Sequence, residues 1–315
     1  MDSLIYSLNA TVPVFLVMVL GYVLRRAEIL NANFVAVSNK FNFKVTLPVL
    51  LFTDMAATDI RADFDGALVL FSALVTLVMF SAVWLLARLL LRDRTLIGAF
   101  VQASCRSSVA VLGIAFITNI YGDAGVAPMM ILGAVPLFNI LSVVVLTFEG
   151  EGAQSGVSNL KRAAVGIVTN PILIGLVLGT LSGLLRIHYP PIVDKALDLV
   201  ASLATPQALI CIGAGFEGRK ALAKLKPTLA ASAVKLVILP AVFLTLAVLL
   251  DFRDQALVAL IIMLGSPSTP SCYVMAKNMN NDGVLTSSVI VATTLLSAFT
   301  LTFWIFLARW LGLIA

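Results

Sequence analysis

A chain of 315 residues that is 60% hydrophobic and only 12% charged cannot fold as a soluble domain, because no core of that size hides so much apolar side chain. Its mean hydropathy of +1.06 points instead to a polytopic membrane protein. The net charge of +5 is no argument for a nucleic-acid partner, since an excess of Lys and Arg in cytoplasmic loops has the same sign.

In chain order, ten apolar segments are expected to cross the bilayer, at roughly 4–24, 36–56, 66–88, 96–119, 125–148, 163–184, 190–213, 227–250, 254–276 and 284–312. Each has about the 20 residues needed to span about 30 Å of hydrocarbon. The fold class expected is therefore an all-α membrane protein of ten transmembrane helices. The first segment lacks a basic leader and a small-residue cleavage site, so it reads as a mature span and not as a signal peptide. Cys105, Cys211 and Cys272 all fall in apolar segments, which excludes a disulfide framework and a zinc motif.

Loops after the odd-numbered segments hold Arg25, Arg26, Lys40, Lys44, Arg88, Arg92, Arg94, Lys161, Arg162, Arg219, Lys220, Lys224, Lys226 and Lys277. The other side holds Arg61, Arg186, Lys195, Arg253 and Arg309. That asymmetry places the odd loops in the cytoplasm and both termini outside, in a cytoplasmic membrane. Asp54, Asp59, Asp63 and Asp65 cluster in one short external loop.

A Gly/Ser/Gln linker at 149–162 separates five spans in 1–148 from five in 163–315. An offset of 158 lays Pro13 on Pro171, Gly21 on Gly179, Pro48 on Pro206, and Arg106–Gly113 on Leu264–Ser271. An odd number of spans per half inverts the second half relative to the first, so the expected architecture is a 5+5 inverted repeat. The fourth and ninth segments become symmetry mates, each polar at mid-depth.

The ninth segment carries Gly265-Ser-Pro-Ser-Thr-Pro-Ser271, where Pro267 and Pro270 each remove a backbone donor and obstruct a helical carbonyl. Opened backbone at membrane depth survives only where protein or a water-filled cavity satisfies it, and carriers bind solutes at such breaks. In the fourth segment, Arg106 sits about mid-depth, where a charged side chain costs about 2.5–3.5 kcal/mol and so is paired or faces a cavity. All sixteen acidic residues fall in loops or at segment ends, so the centre favours a bound anion. Arg106, Ser107, Ser108, Ser266, Pro267, Ser268, Thr269, Pro270 and Ser271 are the expected substrate-binding residues. Gly113, Gly265, Pro267, Pro270, Pro48 and Pro206 are the expected helix breaks or hinges. Asn42, Asn139, Lys235 and Lys277 are secondary candidates, with Lys235 expected to snorkel to the cytoplasmic end and Lys277 to act as a cytoplasmic-side anchor. His188, the one histidine, falls in an external loop. The chain lacks His-Glu-x-x-His, P-loop and Gly-x-Ser-x-Gly motifs, so no enzyme is expected, and no cofactor beyond a coupling Na+ or H+.

Four stretches then carry a resemblance: Asn42-Phe-Lys-Val-Thr-Leu-Pro-Val-Leu-Leu-Phe52, Arg106-Ser-Ser-x4-Gly-Ile114, Lys235-Leu-x2-Leu-Pro240, and Pro267 through Lys277. In their order and spacing, over almost the whole chain, the sequence resembles a bacterial member of the auxin efflux carrier family. That family includes plant PIN-type auxin exporters and bacterial permeases assigned to malonate or malate. The resemblance implies scaffold and transport domains as in bile-acid symporters and sodium/proton antiporters, segments four and nine crossing at the substrate site, elevator-type transport and a homodimer. The PIN-type pattern has an asparagine where this chain has Ser108 and a proline where it has Ala115, which leaves Gly113 as the first breaker. The function expected is a secondary carrier of a small organic anion, a mono- or dicarboxylate. The alternatives are a sodium- or proton-coupled cation or solute carrier, and a receptor on the same fold that binds without transporting.

Overall fold

A computed structural model describes residues 2–57, 65–109, 117–118, 120–121, 125–150 and 164–314. Every regular element among them is helical, as the composition requires. α1 (Asp2–Arg26) carries Pro13 and ends on Arg25 and Arg26. The Asn31 side chain accepts the Phe34 N–H and starts α2 (Ala32–Phe41), which runs through a π-helical turn (Asn42–Thr46) into α3 (Leu47–Ala56). Pro48 explains the turn: it has no N–H for the carbonyl one turn back, and its ring needs room there. The same solution recurs later in the chain. α11 (Leu225–Ala233) passes through a π-helical turn (Val234–Ile238) into α12 (Leu239–Leu249), with Pro240 at its start.

α4 (Gly66–Leu90) is capped by Asp65, α5 covers Ile97–Cys105 and α6 covers Ala127–Glu149. Asn170 caps α7 (Pro171–Leu185), and Arg186 ends it in the left-handed region, at φ 51°. α8 (Pro191–Ser202) and α9 (Ala204–Ala214) are nearly continuous. They part at Leu203, one turn before Pro206, the step at which Pro206 cannot donate to the Ser202 carbonyl. α10 (Gly218–Ala223), α13 (Asp254–Gly265), α14 (Ser271–Asn278) and α15 (Gly283–Trp310) complete the set. Five spans among the described residues are long and apolar enough to cross a membrane: α4, α6, Pro191–Ala214, Leu225–Leu249 and α15. α7 and α13 are apolar but shorter.

The linker expected at 149–162 falls mostly outside the described residues, as do Asp59, Asp63, Lys161 and Arg162. Its first residue does not start a loop. Glu149 closes α6, where its Oε1 accepts from Trp84 Nε1 and Arg88 Nε, each at 2.6 Å, tying the end of α6 to α4. The reason is local: a carboxylate beside a cation and an indole N–H gains charge-assisted bonds that a solvated loop does not offer.

α1 packs on α9 and α15, α3 on α7, and α4 on α6. Between helices in lipid there is little hydrophobic gain, so close backbone contact and dispersion hold the pairs together. α7 shows how the sequence arranges this. Gly175, Gly179 and Gly183 recur every four residues, and a Cβ at each would lie 2.3, 2.5 and 2.7 Å from the carbonyl oxygens of Pro48, Phe52 and Met55. Three glycines on one face thus let α3 lie directly against the α7 backbone. The main apolar core spans most of the helices, and a smaller cluster around Met18, Leu209, Ile212, Cys272, Tyr273 and Ile290 joins α1, α9, α14 and α15.

Candidate functional site

The site begins where α5 and α13 stop. α13 ends at Gly265 because Ser266 precedes Pro267, and a residue before proline is driven to extended backbone; Ser266 has φ −69° and ψ 156°. Pro270, with φ −55° and ψ −29°, is preset for helix and opens α14. α5 ends at Cys105 without a proline, with Arg106 extended at φ −80° and ψ 133°. Each interruption satisfies groups freed by the other. The Ser108 N–H donates to the Pro267 carbonyl at 3.0 Å, Ser107 Oγ–H donates to the Met263 carbonyl, and Ser268 Oγ–H donates to the Ala103 carbonyl. The Ser268 N–H is received by Thr293 Oγ1 of α15 at 3.1 Å.

Lys235 completes this junction. It lies in the second π-helical turn, is 0% exposed, and its Nζ donates to Ser107 Oγ and, at 2.8 Å, to the Leu264 carbonyl. Leu264 is in the last turn of α13, where carbonyls lack helical partners and carry partial negative charge, so an ammonium there is both donor and counter-charge. The expectation that Lys235 snorkels to the membrane end is therefore wrong. Snorkelling is what a long chain does when nothing inside accepts its protons, and here two acceptors do.

Beside the junction lies a cavity of about 150 Å³. Arg106, Ser107 and Ser108 line it from the first interruption, Thr269 and Ser271 from the second, and Phe138 and Asn139 from α6; Leu47, Leu51 and Asp54 of α3 close another side. Arg106 is only 5% exposed. Its Nη2 donates to Asn139 Oδ1 at 2.7 Å, and its Nη1 points at the Met275 sulfur, which also receives Gln102 Nε2 at 3.4 Å. Asn139 is itself held by a 2.9 Å bond to the Val135 carbonyl, the group that Asn139 would contact one turn back. Both acceptors of the guanidinium are uncharged, and a thioether is a weak one. Thr269 Oγ1 and Ser271 Oγ, 3.2 Å apart, add hydroxyls at the start of α14.

Of the expected substrate residues, Arg106, Ser107, Ser108, Thr269 and Ser271 line this cavity. Ser107 does so with its hydroxyl already committed to Met263 and Lys235. Ser268 is turned away to Ala103. Ser266 is 0% exposed, and its Oγ has no hydrogen-bond partner among the described residues. Pro267 contributes a carbonyl to the junction. Gly113 lies outside the described residues. Pro48 produces a widened turn and not a break, because the π-helical residue absorbs the missing bond. Asn42, in that turn, donates to the Ala204 carbonyl at 2.8 Å and accepts from Thr46 Oγ1, a role in joining α3 to α9. Asn139, a secondary candidate, lines the cavity and accepts from Arg106. Lys277 is exposed at the end of α14.

One residue of the cavity wall was counted out in advance. Asp54 sits in the last turns of α3 and lines the same cavity as Arg106. The acidic cluster at Asp54–Asp65 resembles a loop, but the helix continues to Ala56 and its period turns Asp54 onto the face of Leu47 and Leu51. Asp54 does lie at a segment end, as expected, and from there it still reaches the wall of the cavity that Arg106 lines. Met275 and Gln102 were also missed, since nothing in an apolar run marks a methionine as an acceptor.

A family model described as "Membrane transport protein" matches residues 6–305. An "Uncharacterized transporter" of Methanothermobacter thermautotrophicus is 23% identical over 302 residues, covering 95% of this chain and 97% of its own. The "Uncharacterized transporter YfdV" of Escherichia coli K12 is 21% identical over 313 residues, covering 97% and 99%.

Proposed function

The chain belongs to the membrane transport protein family, in line with its resemblance to auxin efflux carriers, and we propose that it is a secondary carrier of a small organic anion. The observation that carries this reading is Arg106: a buried guanidinium on a cavity wall, its hydrogen bonds received by two uncharged groups. A cation at mid-depth is costly, and a bound carboxylate would offset that cost while using the guanidinium's remaining donors. Thr269 and Ser271 would supply hydroxyl donors, and the N-terminal end of α14 would add positive potential. A cavity of about 150 Å³ suits a mono- or dicarboxylate of a few carbons.

In this reading the chain makes ten spans in two inverted halves, 1–148 and 163–315, in the cytoplasmic membrane of a bacterium with both termini outside. The hydrogen bond between Ser108 and Pro267 supports a crossing of the fourth and ninth spans at the substrate. Elevator-type movement of that crossing would expose Arg106 to either side in turn, in a homodimer. Counterflow in liposomes tests it. Purified protein preloaded with an unlabelled short-chain dicarboxylate should accumulate the labelled compound, whereas a receptor would bind it without any accumulation.

Asp54 favours a second reading, coupling of transport to H+ or Na+, because it places a carboxylate on the wall of the Arg106 cavity. Asp54→Asn should then abolish uptake driven by an imposed ion gradient and leave counterflow intact. Equal gradient-driven uptake by both proteins would remove this reading.

A further inference from the structure

A second and larger cavity, of about 780 Å³, lies at the other end of α14. Its wall joins the end of α1, the start of α2, the turn after α9 and the last residues of α14. α14 has eight residues, about 12 Å, with Ser271 lining the first cavity and Lys277 lining the second. Tyr273 lies between them, 2% exposed, and forms part of the second wall. Its hydroxyl fills the space beside Gly215, where a Cβ would come within 2.6 Å of it.

The charge of this wall is one-sided. Arg25, Arg26, Arg219 and Lys277 face Glu217, and Glu217 is already paired with Lys220 at 2.8 Å. The cations are held in place without being neutralised. Arg25 donates to the Leu30 carbonyl, Arg26 donates to the Tyr22 hydroxyl while stacking over its ring, and the Lys277 stem lies against Gly283. Neither Arg219 nor Lys277 makes a hydrogen bond or ion pair among the described residues. Loop cations that merely respond to membrane sidedness need not converge on one concave space; these four do.

We propose that this second cavity is an oxyanion-binding site separate from the one at Arg106, taking a ligand that bears carboxylate or phosphate groups. Two or more guanidinium and ammonium donors around one concavity give charge-assisted bonds that a neutral solute cannot use. The ligand would come either from solution or as the headgroup of an acidic lipid, and the chemistry of recognition is common to both.

The experiment uses the full chain in nanodiscs of zwitterionic lipid, titrated with inorganic phosphate and with malonate at constant ionic strength. The double variant Arg219→Gln/Lys277→Gln alters two exposed side chains that make no hydrogen bond or ion pair among the described residues, so it is expected to fold. It should bind phosphate about tenfold or more weakly than wild type, and should lose the second of two malonate sites while keeping the one at Arg106. Binding at the second cavity should persist in Arg106→Ala, or in Asn139→Asp if the alanine variant does not fold, so the two sites fail independently. Repeating the titration with phosphatidylglycerol in the discs identifies the source. Loss of phosphate binding there marks a lipid headgroup as the occupant, and unchanged binding marks a soluble anion. Equal affinity of wild type and the double variant for both probes, or the absence of any oxyanion binding beyond that at Arg106, would overturn the proposal.

Discussion

Arg106 and Lys235 are both buried cations, Lys235 bonded to the residue next to Arg106, and their surroundings differ. Lys235 is consumed by structure: its ammonium joins Ser107 to the last turn of α13. Replacing it with methionine keeps the length and removes the donors, leaving a buried carbonyl unsatisfied. Lys235→Met should therefore cost about 1–3 kcal/mol, read as a lowered melting temperature, while Lys277→Gln at the exposed end of α14 should leave it unchanged. Arg106 keeps its charge available because Asn139 is neutral. Asn139→Asp puts a carboxylate at the 2.7 Å contact, so the protein should remain folded yet bind organic anions far more weakly. Undiminished anion binding by a folded Asn139→Asp protein would show that Arg106 is not the attracting group. The sequence made Arg106 legible, since a charge at mid-segment stands out. It did not separate Lys235 from a snorkelling lysine or place Asp54 in the cavity, because both depend on which way a helix face turns and on residues far along the chain.

At the scale of elements, three devices recur: paired interruptions, widened turns and glycine faces. The interruption at Ser266–Pro270 was legible because proline chemistry is local. The one at Arg106–Ser108 has no such marker, and it is held open by the bonds to Met263 and Pro267, more than 150 positions away. The π-helical turns had a signal that went unused, a buried polar residue shortly before Leu-Pro, as in Asn42 to Pro48 and Lys235 to Pro240. The glycine face of α7 can be tested directly. Gly179→Leu forces a side chain into the Phe52 carbonyl and should cost about 1–3 kcal/mol or more, whereas Gly166→Ala, with nothing within 4 Å of an added Cβ, should be neutral. Thermal unfolding in one detergent compares the two. Equal loss in both would mean that α3 and α7 do not pack as described.

For the whole molecule, composition was enough to indicate a membrane protein, because 60% hydrophobic residues leave no other solvent, and every regular element among the described residues is helical. The proposed orientation makes a separate prediction. The three native cysteines are buried, so an added one reports alone. A membrane-impermeant maleimide should label Lys195→Cys in intact cells and Lys220→Cys only after permeabilisation; the reverse pattern would invert the topology. The central claim is that the cavity between the two helix interruptions binds an organic anion through Arg106. Ligand-induced stabilisation tests this most directly, with wild type and Arg106→Ala heated against a panel of organic acids, amines and neutral solutes. With the second cavity disabled in both proteins by Arg219→Gln/Lys277→Gln, a carboxylate at about 100 times its Kd should add about 2.7 kcal/mol where Arg106 is present and nothing to a folded Arg106→Ala protein. Equal stabilisation of both proteins by amines or neutral solutes would contradict the account.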